Sequence, residues 1–266
     1  MSTEASPSPD TRVGSGTPTT IEEFSYIVVF LYYYSERETY VQRCVGSLIS
    51  SWHVLTTAYC FTDANLNLML IRAGSTDSLS HGSLSTLGNV VLHPNYVEAP
   101  RTADIAVTNL SFPMSLSSTI GIVHLPHQGT YIPDGSLTTV VSWGLELEIG
   151  PQPKILKTVL LYKLPLVSCR NIYEGSTSVE IGDPVICVVR TGIPDMCVID
   201  SGAPMTINKV LVGVASYTLG CGNTTSPDVF TRIDNVTACL VVPKFCAVDS
   251  GFTDWIVSVA VPPLTK

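Results

Sequence analysis

The hydrophobic positions of this chain fall into short runs instead of long amphipathic stretches. From Phe24 onward the runs are rich in β-branched and aromatic residues, and Gly, Pro, Asn and Ser separate them. They read YIVVFLYYY, HVLTT, NVVLH, TTVVSWG, TVLLYKL, VICVV and KVLVGVAS. Runs of this composition between turn residues are typical of antiparallel strands. Since no alternation of strand and helix patterns suggests a parallel sheet, the sequence predicts an all-β protein.

The start of the chain has a different composition. The stretch through Thr20 is rich in Ser, Thr and Pro, which predicts a disordered tail. Its first twelve residues, MSTEASPSPDTR, are polar and lack the apolar stretch of a signal peptide. Three interpretations are open: the natural chain starts upstream, a signal has been removed, or the protein stays inside the cell with reduced thiols. We favour missing upstream sequence.

Length and charge exclude some classes of function. The chain has 266 residues, enough for one large all-β unit or two domains, and a formal net charge of −8. Its Lys and Arg residues are scattered, so no basic patch for nucleic acid is predicted. No apolar run approaches the roughly 20 residues that span a bilayer, so no membrane partner is expected. We expect a soluble monomer that needs no metal or cofactor.

Four separated segments carry a resemblance to a known family. They are RVGSGTPTTI (Arg12–Ile21), CVGSLISSWHVLTTAYC (Cys44–Cys60), ADIAV (Ala103–Val107) and DMCVIDSGAP (Asp195–Pro204). VASYTLGCG and SPDVFTRI follow the last of them. In this order the segments resemble the trypsin/chymotrypsin family of serine proteases. TPTTIEE and VLHPNY are most similar to the insect trypsin-like members of that family.

The resemblance implies a trypsin-like fold with two six-stranded antiparallel Greek-key barrels. Residues 1–12 would be an activation peptide and residues 13–266 the protease domain. One barrel would cover about 24–122 and the other about 130–250, with a cleft between them and a C-terminal helix over about 254–261.

The resemblance also implies positions for the catalytic residues. Asp104 would be the buried aspartate and Ser201 the nucleophile, but Tyr59 occupies the position of the general-base histidine. A phenol with an ordinary pKa near 10 is neutral at working pH and is a poor proton acceptor. His53 precedes the strand HVLTT and the other histidines lie far away in sequence, so none is expected to replace the base. We therefore expect impaired catalysis, with the Tyr59 hydroxyl donating a hydrogen bond to Asp104.

The oxyanion site of the family is altered as well. Ile199 stands two residues before Ser201, where the family has a glycine whose backbone N–H faces the oxyanion together with that of the serine. A branched side chain at this position is expected to crowd the substrate or to restrict the loop. Ala203 replaces a second glycine, and one added methyl group should be tolerated.

The specificity pocket implied by the resemblance has an acidic character. Asp195 matches the acidic floor that selects basic side chains in trypsins, although a solvated loop acid is an alternative interpretation. Ser216, Tyr217 and Thr218 would form a wall, with Tyr and Thr in place of tryptophan and glycine. Asp228 adds a second carboxylate, which would raise the pKa of one acid or attract a cation. Any remaining preference would be for Lys or Arg.

Activation would depend on the amino terminus. Cleavage after Arg12 would free the amine of Val13, which the resemblance pairs with Asp200 beside the nucleophile. This apparatus would serve as a conformational switch without hydrolysis, or it is simply inherited from an active ancestor.

The eight cysteines are even in number, which favours disulfides and an oxidising compartment. The pairs implied by the resemblance are Cys44 with Cys60, Cys169 with Cys187, and Cys197 with Cys221. The remaining two, Cys239 and Cys246, flank a short insertion and can pair with each other. The N-x-S/T triplets at Asn109, Asn223 and Asn235 agree with secretion, although such triplets often arise by chance. We therefore expect an extracellular protein.

Two classes of function stay open. In the first, which we favour, the chain is a secreted, non-catalytic serine protease homologue that binds a protein or peptide in the cleft between the barrels. Protease inhibitors and cascade proteases are candidate partners. In the second, it is an endopeptidase that cleaves after Lys or Arg with low or residual activity, using a base that the sequence does not reveal.

Overall fold

Strands dominate the regular structure of this chain. The computed structural model describes residues 16–144, 154–189, 199–218, 226–234, 255–256 and 259–260. The strands are β1 (Thr17–Pro18), β2 (Ile27–Tyr34), β3 (Thr39–Leu48), β4 (His53–Thr56), β5 (Met69–Ala73), β6 (Ser83–Leu92), β7 (Ala106–Leu110), β8 (Leu137–Ser142), β9 (Lys157–Lys163), β10 (Val185–Val189), β11 (Pro204–Ile207), β12 (Val210–Tyr217) and β13 (Asp228–Arg232). The helix α1 (Leu166–Ile172) and the 3-10 turns Ala58–Phe61 and Leu66–Leu68 lie between them.

The strands form two antiparallel barrels. In the first barrel the strands follow the closed order β2-β3-β4-β7-β6-β5. In the second the order is β9-β10-β13-β12-β11-β8, and pairing of β8 with β9 closes the ring. The short strand β1 pairs with Lys157 and Thr158 at the start of β9, so the disorder predicted through Thr20 is wrong for Thr17–Pro18. The predicted all-β fold of two six-stranded barrels is confirmed.

Strand β2 shows why the sequence signal is so strong in the first barrel. Val28 and Phe30 point into the interior cluster of this barrel. Ile27, Val29 and Leu31 point the other way, into a cluster shared by both barrels. Because successive side chains of a strand face opposite sides, a strand that is buried on both faces is a continuous apolar run. The run IVVFL is therefore uninterrupted.

The shared cluster fixes how the two barrels meet. It combines Val107 on β7 with Val141 on β8 and Val214 on β12, all of them fully buried or nearly so. The indole of Trp143 adds a polar link across the junction, since its N–H donates to the backbone oxygen of Thr76 at 2.8 Å. Side chains near the edge of this junction are consequently held in fixed relative positions.

The end of the chain contributes to the same junction. Trp255, Ile256 and Val259 are helical, and the N–H of Ala260 donates to the Ile256 oxygen at 3.0 Å. Ile256 is fully buried in the shared cluster. The remainder of the predicted terminal helix, 254–261, lies outside the described residues. Within the part of the chain that the structure covers, no helix is long and apolar enough to cross a membrane.

Candidate active site

Tyr59 is placed by a tight turn that follows strand β4. The turn Ala58–Phe61 is tied to β3 by the disulfide between Cys44 and Cys60. Ala58 and Cys60 on either side are buried, which leaves Tyr59 as the turn residue that faces outward, with 38% of its surface exposed. The local sequence therefore presents this side chain to the cleft between the barrels, and it forms part of the cleft lining.

Asp104 lies under this cleft with only 2% of its surface exposed. One carboxylate oxygen accepts from the backbone N–H of Tyr59 at 2.8 Å, and the other accepts from the Ser216 hydroxyl at 2.6 Å. The Asp104 backbone oxygen accepts from the Thr231 hydroxyl at 2.8 Å. Burial raises the pKa of the Asp104 carboxyl, and the hydrogen bonds from Ser216 and Tyr59 and the nearby charge of Arg101 oppose that rise.

The Tyr59 side chain does not play the part expected from the sequence. Its hydroxyl is not among the donors to Asp104, so the expected hydrogen bond from phenol to carboxylate is wrong. The physical reason is that Ser216 and the Tyr59 backbone already satisfy both carboxylate oxygens. The Tyr59 ring instead stacks against Arg101, whose guanidinium carbon lies 3.8 Å from the ring centroid.

Arg101 is the residue of this site that sequence reasoning missed. Its guanidinium donates to the backbone oxygen of Ser216 at 2.6 Å and lies 5.9 Å from the ring centroid of Tyr217. Its backbone N–H donates to the Ser178 oxygen at 3.0 Å, which docks the segment between β6 and β7 onto the second barrel. Arg101 therefore bridges the two barrels across the cleft. Its position just before ADIAV is the one sequence cue, and it is weak.

The loop that carries Ser201 depends on a glycine. Gly202 has a φ of +88°, and a Cβ there would lie 1.9 Å from the Val45 oxygen. The absence of a side chain lets the loop form two backbone hydrogen bonds. The N–H of Val45 donates to the Ser201 oxygen at 2.9 Å, and the N–H of Gly202 donates to the Ala215 oxygen at 2.8 Å. Both barrels thus hold the loop. Within the covered part of the chain, no base accepts a hydrogen bond from the Ser201 hydroxyl.

Ile199 anchors the same loop. Only 5% of its surface is exposed, and its side chain belongs to the interior cluster of the second barrel together with Phe230 and Val140. Its remaining surface lines the cleft beside Ser201. The branched side chain therefore attaches the loop to the barrel interior, and its expected effect on the oxyanion site stays a prediction.

Asp200 is held by a compact set of donors. Its carboxylate accepts from the Ser142 hydroxyl at 2.5 Å and from the Gly144 N–H at 2.7 Å. Full burial raises the pKa of the Asp200 carboxyl, and hydrogen bonds from Ser142, Gly144 and the Gln42 side chain oppose the rise. Val13, whose amine the resemblance pairs with this acid, and the cleavage site Arg12 lie outside the described residues.

The cleft itself has a volume of about 390 Å³. Its lining includes Tyr59, Ile199, Ser201, Ser216, Tyr217, Thr218 and Asp228, so the structure brings these sequence candidates together. Tyr217 packs edge-on against Tyr173 with a centroid distance of 6.1 Å, and the Tyr173 hydroxyl donates to the Pro227 oxygen at 2.6 Å. Asp228 is buried at 9% exposure in the wall. Burial of Tyr173 raises the pKa of its hydroxyl, and the negative charge of Asp228 adds to that rise.

All five histidines are described, and none of them lines the cleft. His53 is fully buried in β4 with its ring 2.7 Å from the Ser50 hydroxyl. His93 packs against Trp255 at a centroid distance of 5.0 Å. The Nδ1 atom of His81 lies 2.8 Å from the Ser80 hydroxyl oxygen. The site has no imidazole available as a base.

Two of the disulfide pairs implied by the resemblance are formed, Cys44 with Cys60 and Cys169 with Cys187. The pairs Cys197 with Cys221 and Cys239 with Cys246, and the acid Asp195, lie outside the described residues. Within the described ranges no group of His, Cys, Asp and Glu is arranged to hold a metal ion.

The chain is similar to known proteases in both sequence and structure. A vitellin-degrading protease of Bombyx mori is 29% identical over 233 residues, which are 87% of this chain and 85% of that protein. Trypsin delta of Drosophila erecta is 30% identical over 236 residues, 88% of this chain and 89% of that protein. The crystal structure of the scabies mite inactivated protease paralogue S-I1 has a TM-score of 0.74 at 25% identity, covering 92% of this chain and 98% of that one.

A second solved structure, the scabies mite inactivated protease paralogue S-D1, shares the fold with a TM-score of 0.70 at 22% identity. The aligned region covers 83% of this chain and 92% of the S-D1 chain. The family model described as Trypsin matches residues 13–240. With two closed barrels, Ser201 and Asp104 at one cleft, and a family match over most of its length, the chain belongs to the trypsin family of serine proteases.

Proposed function

We propose that this chain is an extracellular, non-catalytic serine protease homologue that acts by binding a protein or peptide in the cleft between its barrels. The observation that carries the proposal is the Tyr59 turn. Its backbone N–H keeps the contact with Asp104 at 2.8 Å, while its side chain offers only a neutral phenol to the cleft. A serine hydroxyl without a proton acceptor is a weak nucleophile, so Ser201 lacks the activation that peptide hydrolysis requires.

The scale of this loss is large. In the serine protease subtilisin, removal of the catalytic histidine lowers turnover by about a millionfold. Residual catalysis from oxyanion stabilisation and binding amounts to about 10³- to 10⁴-fold over water. No histidine of this chain lies along the cleft. The expected turnover is therefore far below that of a working trypsin.

The position of the Arg101 side chain in the cleft supports the same proposal. Arg101 spans from the Tyr59 ring to the Ser216 oxygen and lines the same cleft as Ser201. Binding requires that a ligand displace this side chain or lie across it. Such an arrangement suits recognition of a partner better than rapid passage of substrates.

The comparisons and the cysteines give further support. The paralogue S-I1, with which this chain shares 25% identity, is described as inactivated. The disulfides Cys44–Cys60 and Cys169–Cys187 fit an oxidising, extracellular setting. Inhibitors and other proteases of the same setting are the partner classes that we expect.

An assay of the purified chain after cleavage at Arg12 tests the absence of catalysis. The chain is incubated with an arginine-containing chromogenic substrate and, separately, with a fluorophosphonate probe. Trypsin is the positive control, and the Ser201→Ala variant is the matched negative control. We expect wild type and Ser201→Ala to be indistinguishable in both assays. Substrate turnover that approaches that of trypsin and disappears in Ser201→Ala would reject the proposal.

A second candidate function has one observation in its favour. Asp104 keeps a hydrogen bond from Ser216, Ser216 and Ser201 line the same cleft, and several relatives are named as trypsins. The alternative is an endopeptidase that cleaves after Lys or Arg with low activity. The same assay separates the two functions, because only the alternative predicts labelling of Ser201 by the probe.

A further inference from the structure

Strand β7 ends within the triplet Asn109-Leu110-Ser111, whose serine begins the following loop. Asparagine followed by any residue except proline and then by serine is the acceptor sequence for N-linked glycans. Of the three such triplets in the chain, this one lies within the described residues. Because triplets also arise by chance, the surroundings of Asn109 in the folded chain decide whether a glycan fits there.

The Asn109 side chain lies on the outer face of the first barrel. Its neighbour Leu110 is 3% exposed and packs in the interior cluster of that barrel. Since successive side chains of a strand face opposite sides, Asn109 shares the outer face with Val107. The cluster shared by the two barrels covers Val107, whereas Asn109 is partly exposed. The outer face of β7 therefore leaves the barrel junction and reaches solvent at Asn109.

The adjoining strands leave space beside Asn109. The register between β6 and β7 is irregular, so that Gly88 and Asn89 of β6 lie opposite Asn109. Gly88 brings no side chain, and Asn89 is exposed. On the β4 side the partner is His53, whose ring is fully buried and lies 2.7 Å from the Ser50 hydroxyl. Neither strand therefore places an exposed aromatic or branched side chain opposite Asn109.

The side-chain amide of Asn109 has no hydrogen-bond partner within the described part of the chain. The one side-chain hydrogen bond at this residue goes to its backbone oxygen, which accepts from the Thr108 hydroxyl at 3.3 Å. Unpaired polar atoms that are buried occur at other residues, such as the Ser47 hydroxyl, but not at Asn109. Water therefore reaches the amide, and a sugar bonded to its nitrogen would break no hydrogen bond among the described residues.

We propose that Asn109 carries an N-linked oligosaccharide. This inference rests on the extracellular setting of the proposed function. The donor is an oligosaccharide linked through a diphosphate to a lipid, and the transfer takes place on the extended chain before it folds. The bond from the anomeric carbon of the first sugar to the diphosphate oxygen breaks, and that oxygen keeps the electron pair. A bond forms from the anomeric carbon to Nδ2 of Asn109, which gives up one of its protons to the released lipid diphosphate.

A glycan at this position would leave the cleft available. The cleft lining includes Tyr59 and Ser201 but not Asn109. A bulky, hydrated oligosaccharide instead covers the outer surface around the end of β7. A protein partner is thereby kept from this face of the first barrel and directed to other surfaces, the cleft among them.

Peptide mapping of the secreted chain tests the site. The full chain is expressed in insect cells behind an added signal peptide, and the monodisperse fraction that unfolds cooperatively is collected. N-glycanase in heavy-oxygen water converts a glycosylated asparagine to labelled aspartate, which mass spectrometry locates in the sequence. We expect the label at residue 109 in most molecules. Asn109 that is unlabelled in most molecules of this folded fraction would overturn the proposal.

Three variants separate the acceptor triplet from its surroundings. Ser111→Ala should lose the label at residue 109 and Ser111→Thr should keep it, because either hydroxyl completes the triplet. Asn89→Gln removes an exposed asparagine on the neighbouring strand that is followed by Val90 and Val91, so the label at residue 109 should stay unchanged. Label at residue 109 that persists in Ser111→Ala would exclude this chemistry.

The stability of two variants without the glycan checks the geometry. Asn109→Gln and Ser111→Ala should unfold at the same temperature, since both lack the glycan and the Asn109 amide holds no internal hydrogen bond among the described residues. A clearly lower midpoint for Asn109→Gln would show that the amide is used inside the fold, and would contradict the site.

These results are independent of the catalytic test. Because the signal peptide is supplied, an unlabelled Asn109 rejects the glycan and leaves the absence of catalysis standing. Turnover by wild type rejects the non-catalytic function, while the peptide map still reports on Asn109.

Discussion

Restoring an imidazole at position 59 is the sharpest perturbation of this cleft. The backbone of Tyr59 already holds the Asp104 carboxylate at 2.8 Å, so Tyr59→His should place a base near Ser201 without a change of fold. We nevertheless expect the single variant to recover little hydrolysis of an arginine chromogenic substrate. The reason is Arg101, which stays over the ring and on the Ser216 oxygen.

The size of this obstruction follows from the geometry. A guanidinium 3.8 Å from the ring centroid would oppose the imidazolium that forms when the base takes the proton of Ser201. Two like charges at about 4 Å repel by about 4 kcal/mol at an effective dielectric constant of about 20. Because residue 59 is 38% exposed, solvent screening reduces this value. A remaining repulsion of about 1–2 kcal/mol would lower the pKa of the introduced imidazole and slow the step by about 5- to 30-fold.

The double variant isolates that effect. Tyr59→His combined with Arg101→Ala should exceed Tyr59→His alone by about tenfold or more in kcat/KM, since it removes both the repulsion and the block at Ser216. Its pH profile should also rise at a higher pH than that of the single variant. Tyr59→His combined with Arg37→Ala, which removes an arginine 6.0 Å from the Tyr34 ring between β2 and β3, is the matched control and should stay as low as the single variant. Full recovery by Tyr59→His alone, or identical profiles for single and double variants, would refute this reasoning.

Two further predictions concern stability. Gly202→Ala should lower the free energy of unfolding by about 2–4 kcal/mol, because a Cβ at φ +88° would lie 1.9 Å from a β3 backbone oxygen. Gly135→Ala, at φ +77° with nothing within 4 Å of the added atom, is the control and should cost only about 1–2 kcal/mol in urea denaturation. Since burial raises the pKa of Asp104, the folded chain keeps this proton to a higher pH than the unfolded chain, and stability falls as pH rises above the ordinary aspartate pKa. Asp104→Asn should flatten that fall in denaturation measured across a pH series, and an unchanged slope would contradict the assignment.

The sequence predicts the strands whose apolar signal is complete. Strand β2 is buried over its first five residues and strand β12 over all but its two end residues, and both buried stretches lie within the apolar runs of the sequence. Strands β5 and β11 are short, and β11 begins at Pro204, so neither gives a clear local pattern. Their places are set by pairing with neighbours, which only the closed barrel supplies.

The site shows the same division between local and distant information. Segments of the sequence identify Tyr59, Asp104 and Ser201 because each lies in a recognisable motif. No sequence motif indicates the role of Arg101, because its acceptor Ser216 is 115 residues away and lies on the other barrel. The same holds for the Ser216 hydroxyl, whose bond to Asp104 spans 112 residues and replaces the expected one from the Tyr59 phenol. Contacts made only when two barrels meet leave no period or spacing in the sequence.

Retention of Asp104 and Ser201 is therefore weak support for catalysis in this chain. Asp104 ties the turn of Tyr59 on the first barrel to Ser216 and Thr231 on the second. Removing one partner of a buried polar network lowers the stability of the fold, whether or not the site hydrolyses peptides. Selection on the fold alone would keep this acid after hydrolysis was lost. The residue that discriminates is the one whose side chain has no such tie to Asp104: the exposed ring at position 59, which a histidine could replace without disturbing the barrels. On this reasoning, rapid hydrolysis would require a proton acceptor at position 59, and the Arg101 side chain would still have to move away from it.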